Sequence, residues 1–306
     1  MNKEFSRFDQ IPFGRASDTI TKGCLVLEGG AFRAVYGEGV LDAFMLEDIN
    51  MECTIGVSAG AMNGLNYVAG HIGRAIRFNL EHRYDSSYVG IKAVQQNKGV
   101  IGFKTAFDDD KAEEPLDIYH FYNTPRKFYA VCTNVLTGKP EYFEKNSCSD
   151  IFQAIRASAS MPALSAPVPL DASYFLDGGC SNKVPIEWAL EQGYEKIVVV
   201  RTQHKGYRKK ELNNLEIDAI NRFYKEYPLL ADALSRSAEI YNAQCDLIEK
   251  LEEEGRIFVI YPSEPLDVGR LEPDLEKLGD VYFLGYANAK EHMAKLKEYL
   301  DLAPSI

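Results

Sequence analysis

The sequence predicts an α/β layered fold with a mostly parallel central sheet, and three observations carry that prediction. Short, almost wholly apolar runs stop abruptly at glycines, as in KGCLVLEGG, CTIGVS and YFLDGG. Continuous apolar runs of this length fit strands covered on both faces. The period then switches to helical spacing, as in AVYGEGVLDAFMLED with Val35, Val40, Leu41, Phe44 and Met45. The strand–turn–helix order also recurs along the chain, the arrangement that builds parallel sheets.

Taken in order, residues 1–22 form a charged N-terminal segment without a strong pattern, and residues 23–206 form the core. CTIGVSAGAMNGLNYVAG predicts a brief strand, a sharp turn at Gly56-Val57-Ser58 and a helix rich in small residues. Residues 71–125 are less regular, mixing aromatics with acids, and read as a cap or insertion on the sheet. RKFYAVCTNVLTG returns to a strand, SDIFQAIRASAS is a helix ending before Pro162, and PIEWALEQGYEKIVVVRT is helix then strand. Over residues 207–306 the composition shifts toward Lys, Glu and Leu. LLADALSRSAEIYNAQCDLIEKLEEEG predicts one long helix closed by Gly255, RIFVIYP a further strand, and the tail an amphipathic helix. This region is expected to be a helical C-terminal extension packed on the core.

The chain of 306 residues is 46% hydrophobic and 26% charged, ordinary values for a folded protein with a large core. A formal charge of −11 argues against nucleic acid as a partner. No window holds the roughly 18 consecutive apolar residues of a membrane span, and the N-terminus lacks the apolar core of a signal peptide. The six cysteines, Cys24, Cys53, Cys132, Cys148, Cys180 and Cys245, are scattered without C-x-x-C pairs or neighbouring histidines. Reduced thiols, no metal, no cofactor and a cytoplasmic location are therefore expected.

Three glycine-bounded features carry chemistry. Gly56-Val57-Ser58-Ala59-Gly60 is a G-x-S-x-G sequence between a strand and a helix, the setting of a nucleophile elbow. An incidental serine in a β-to-α turn would read the same way. Glu28-Gly29-Gly30-Ala31-Phe32-Arg33 again joins strand to helix, and its consecutive N–H groups could form an anion-binding nest. That nest would serve an oxyanion or a nucleotide phosphate, although neither nucleotide-binding glycine pattern is present. Leu176-Asp177-Gly178-Gly179 places a carboxylate at a strand end, where it could face a neighbouring strand's nucleophile or merely cap a turn.

In this order the three features resemble the patatin-like phospholipases. The likeness extends to TNVLTG (Thr133 to Gly138), ASASMPALSAPV (Ala157 to Val168), Asn182 and Pro185, and to the tail around residues 271–285. It implies a three-layer sheet with helices on both faces and a serine-dependent lipid acyl hydrolase of phospholipase A, lysophospholipase or esterase type. Ser58 would be the nucleophile and Asp177 its base. Gly29, Gly30 and Ala31 would form the oxyanion hole, with Arg33, Gly56, Gly60, Gly178 and Gly179 in support and Arg33 bracing the loop. A lipid or acyl ester is the implied substrate. The chain departs from the family at Ala31 and Ala34, where glycines are usual; the hole keeps its geometry without strain if φ at Ala31 is negative.

Two other readings stand beside this one. Ser58, Asp177 and His204 follow the chain order of an α/β-hydrolase triad, with His204 just after the IVVVRT strand. The alanines at 31 and 34 would instead suit a lipid-binding protein that has lost catalysis. Lys205, Arg208, Lys209 and Lys210 form a basic cluster that could touch an anionic membrane surface or simply be solvated. Asp108-Asp109-Asp110 reads as a solvated acidic run, and Ser158 and Ser160 as small residues packed at a helix end. Aromatics of the cap could line an acyl groove.

Overall fold

A computed structural model describes residues 4–107 and 114–303. Its strands are β1 (Gly14–Arg15), β2 (Thr21–Leu27), β3 (Met51–Val57), β4 (His71–Ile72), β5 (Lys127–Asn134), β6 (Pro140–Glu144), β7 (Val168–Leu170), β8 (Ser173–Asp177), β9 (Ile197–Val200) and β10 (Phe258–Ile260). Eight of them make one sheet in the order β10-β9-β2-β3-β5-β8-β7, with β6 on the outer edge of β5; β1 and β4 pair separately. β10, β9, β2, β3 and β5 run parallel, β6 and β8 pair antiparallel with β5, and β7 pairs antiparallel with β8. The predicted mostly parallel sheet is present. The acidic run Asp108-Asp109-Asp110 lies outside the described residues.

The continuous apolar strands still alternate, because each face has its own helical layer. Leu25, Leu27, Val198 and Val200 pack with the helices Val35–Leu46, Ala59–Val68 and Leu275–Tyr299. Cys24, Val26, Ile55, Ile197 and Val199 face the other way, onto the helices Ile186–Glu191 and Ser237–Glu253. Period-two alternation thus survives in strands whose two sides are equally dry.

The C-terminal region does more than pack on this frame. β10 extends the sheet beyond β9, pairing Phe258–Ile260 with Val198–Val200. The helix Leu275–Tyr299 lies so close to Val35–Leu46 that a Cβ on Gly39 would sit 2.0 Å from the Tyr282 carbonyl, and one on Gly285 1.9 Å from that of Tyr36. The single long helix expected after residue 227 is broken instead: Pro228–Ser235 and Ser237–Glu253 meet at Arg236. Gly255 ends the second with φ +67°, its N–H bonding the Glu252 carbonyl while Arg256 N–H reaches Leu251.

β5 positions the chemistry. Its inner edge pairs with β3 through Val131↔Val57 and then, one residue later, with β8 through Cys132↔Asp177. The outer edge at Cys132 is taken by Glu141 of β6. β3 and β8 therefore meet end to end along one edge, and Ser58 emerges where Asp177 arrives.

Candidate active site

Ser58 follows β3 with φ 57° and ψ −128°, a conformation that L-residues adopt only under strain. Glycines make the turn feasible: a Cβ on Gly56 would lie 2.4 Å from the Gly60 carbonyl, and one on Gly60 2.6 Å from that of Leu27. The Ser58 N–H is held by the Ser158 hydroxyl at 2.9 Å. Its own hydroxyl donates to Asp177 Oδ2 at 2.7 Å.

Asp177 is fixed from several sides. Its Oδ1 accepts from Gly179 N–H at 2.7 Å, its backbone N–H donates to the Ser160 carbonyl at 2.9 Å, and its carbonyl accepts from the Thr133 hydroxyl at 2.9 Å. Turn cap and partner to the nucleophile are thus the same carboxylate. Burial raises its pKa, with the bonds from Ser58 and Gly179 opposing. A carboxylate so placed can accept a hydroxyl proton and return it.

The glycine loop faces this pair. Among the described residues the backbone N–H groups of Gly29, Gly30 and Ala31 donate to no protein acceptor. A Cβ on Gly29 would lie 2.8 Å from that of Ser58. Ala31 sits at φ 51°, so the departure from glycine is carried in the strained, left-handed region.

Arg33, expected to brace this loop, turns to the cavity instead, and its Nε is buried without a hydrogen-bond partner. The brace is Glu28, whose Oε2 accepts from Arg201 Nε and Thr202 N–H, each at 2.8 Å, while Oε1 accepts from the Tyr241 hydroxyl at 2.8 Å. The Thr202 hydroxyl then holds the Gly29 carbonyl at 2.7 Å. These partners lie far along the chain, and nothing local announces them. Ser158 and Ser160 do more than fill a helix end, since they hold the elbow and Asp177.

Ser58 stands between two cavities that share Ala31, Ser58 and Met161. The larger, of about 220 Å³, has a mixed lining that includes Met161, Pro162 and Leu234 together with Arg33, Lys183, Lys209 and Arg270. The smaller, of about 60 Å³, is lined by apolar residues such as Phe32, Val35, Met62 and Ile101, and Tyr88 from the 71–125 segment. Glu38 reaches its wall; burial, and then Asp42, raises the pKa of this carboxyl well above its ordinary range, with the bond from Asn79 opposing.

His204 is not part of this arrangement. Its Nδ1 lies 2.9 Å from the Lys205 carbonyl, and it lines a separate cavity beside Tyr261 and His292. The basic cluster also resolves differently: Lys205 pairs with Glu252, Arg208 with Asp246 and Glu249, and Lys209 turns toward Ser58.

A fold that delivers a serine elbow, a buried aspartate and a glycine loop to one sheet edge defines a hydrolase-type site. The family model described as patatin-like phospholipase matches residues 25–190, and the chain belongs to that family. Membership places it among lipid ester hydrolases. A second model, a domain of unknown function (DUF6363), matches residues 227–301.

The uncharacterized protein YjjU of Escherichia coli is 26% identical over 287 residues, covering 90% of this chain and 78% of its own. Lysophospholipase nte1 of Aspergillus fumigatus is 27% identical over 303 residues; the match takes in 89% of this chain but spans only 18% of that protein. VipD of Legionella pneumophila, 14% identical with a TM-score of 0.45 over 94% of this chain and 67% of its own, is too distant to argue from. Among the described residues no helix is long and apolar enough to cross a membrane.

Proposed function

We propose that the protein hydrolyses lipid acyl esters through a Ser58–Asp177 dyad and an acyl-enzyme. The observation that carries this reading is the 2.7 Å bond from Ser58 Oγ to a buried Asp177 carboxylate. Ser58 Oγ attacks the ester carbonyl as its proton passes to Asp177. The oxyanion is received by the N–H groups of Gly29, Gly30 and Ala31, each donor of this kind lowering the barrier by roughly 2.7–4 kcal/mol. Collapse breaks the C–O bond, and Asp177 returns the proton to the leaving alcohol. Water, deprotonated by Asp177, then attacks the acyl-enzyme, and the proton goes back to Ser58 as the fatty acid leaves. The acyl chain occupies the apolar cavity under Phe32, Val35 and Ile101.

The test is hydrolysis of a medium-chain p-nitrophenyl ester. Ser58→Ala and Asp177→Asn are expected to lose about 10³-fold or more in kcat, and His204→Ala to retain wild-type rates. An organophosphonate should label Ser58. Failure of both labelling and turnover in the wild type would leave a lipid-binding role.

A further inference from the structure

The larger cavity beside Ser58 carries more positive charge than ester cleavage requires. Four cations line it from separate parts of the chain: Arg33 beyond the glycine loop, Lys183 beyond Asp177, Lys209 beyond β9, and Arg270 ahead of the last helix. The two carboxylates in the same wall are spent. Asp177 is held by Ser58 and Gly179, and Glu28 by Arg201, Thr202 and Tyr241. Among the described residues none of the four cations forms an ion pair.

Neighbouring cations provide an internal comparison. Lys205 meets Glu252 at 2.9 Å, and Arg208 meets Asp246 at 2.6 Å and Glu249 at 2.8 Å. In a chain of net charge −11, carboxylates are plentiful, yet those around this cavity are not offered to these four groups. Lys183 donates to the Gly179 carbonyl, and Lys209 lies 4.6 Å above the Tyr241 ring, so both keep spare donors. Arg33 Nε is buried with no acceptor. Gathering like charges in a half-buried space is costly unless an anion joins them. Burial, then Lys183, with Arg270 and Arg33 adding and Glu28 opposing, pulls Lys209 down to about 7.

We propose that Arg33, Lys183, Lys209 and Arg270 form an anion subsite that takes the phosphate of an acylated phosphate ester. The preferred substrate is then a lipid acyl ester whose headgroup is a net-anionic phosphate rather than a zwitterion. An ammonium in the headgroup would find both carboxylates engaged and the Tyr241 face already covered by Lys209. The two cavities meet at Ser58, which lets the phosphate lie on one side of the scissile carbonyl and the acyl chain on the other. This assignment rests on Ser58 being the nucleophile.

The test compares kcat/KM for a monoacylglycerol phosphate, its phosphocholine counterpart and the neutral monoacylglycerol, all with one acyl chain. The wild type should prefer the phosphate monoester. In Lys209→Met, Lys183→Met and Arg270→Met the ratio of phosphate to neutral substrate should fall by about tenfold each. Arg270 is exposed at the rim, so its variant tests the subsite even where the half-buried lysines affect folding. Equal ratios in wild type and variants would overturn the proposal.

Calorimetric titration of inorganic phosphate into Ser58→Ala separates the two readings. Binding lost on adding Lys209→Met supports the subsite even if no ester is turned over. Phosphate binding with no preference among the three esters would overturn the headgroup assignment in favour of a free-anion site.

Discussion

Removing one charge from the Glu28–Arg201 brace tests how the glycine loop is held. Both side chains are nearly inaccessible, at 5% and 2% exposure, and Glu28 accepts three hydrogen bonds. Glu28→Gln preserves shape and an acceptor but leaves the Arg201 guanidinium buried without a counter-charge. Breaking a buried pair in this way costs about 3–5 kcal/mol. In a chain of this size that is about 2 °C per kcal/mol, a fall in Tm of about 6–10 °C.

Arg201→Met should cost about as much, because it strands the carboxylate. The double variant Glu28→Gln/Arg201→Met removes both charges and leaves only neutral amide and hydroxyl groups to find partners, about 1–3 kcal/mol each. The two singles should therefore be non-additive by about 3 kcal/mol or more. Trp188, the sole tryptophan, packs between Tyr129 and Tyr142 in the core layer that includes Tyr241, so its fluorescence in urea at pH 7 follows the transition. Additive single costs, or a Glu28→Gln cost below about 1 kcal/mol, would refute the claim that these charges compensate each other.

Other expectations follow from the same geometry. Gly285→Ala places a methyl 1.9 Å from the Tyr36 carbonyl and should destabilise by about 3 kcal/mol; stabilisation in urea, as for an open helix site, would contradict the close crossing. Ala31→Gly exchanges left-handed strain for chain entropy and should stabilise by no more than about 1 kcal/mol while leaving esterase kcat intact; a loss of stability in a melt would count against strain there. Because burial raises Asp177 and the base must be ionised, kcat/KM for a neutral ester should fall as pH drops, with its half-point above about 4. A pH–rate profile flat down to that point would remove Asp177 as base. Lys209, at about 7, is charged below that pH and neutral above it, facing Lys183, Arg33, Arg270 and Glu28. The preference for phosphate monoester should therefore fade as pH rises through 7, and a preference constant well above that pH would sink that role.

The legible part of this protein was local. Ser58, Asp177 and the two glycines of Gly29-Gly30 stand out because a sharp turn writes itself in short glycine spacing. The parallel sheet followed from its apolar runs, and β6 and β7 escaped because half-exposed, Pro-bearing strands lack that signature. Resemblance supplied roles for positions and misplaced one, assigning Arg33 a brace that Arg201, Thr202 and Tyr241 provide. No window of sequence could reveal a partnership spanning 173 residues. Lys209 likewise reads as one more surface cation within HKGYRKKE, because only the folded loop decides which of its neighbours meet carboxylates.

The order of the chain has a consequence for synthesis. Ser58 is made early, but Asp177, Arg201, Tyr241 and the Arg270 carbonyl that receives Phe32 N–H are made later. A nascent or prematurely stopped polypeptide thus carries an elbow with no base opposite it and an unanchored glycine loop. Under the proposed dyad, the full set of contacts around Ser58 can form only once the chain has been made past Arg270.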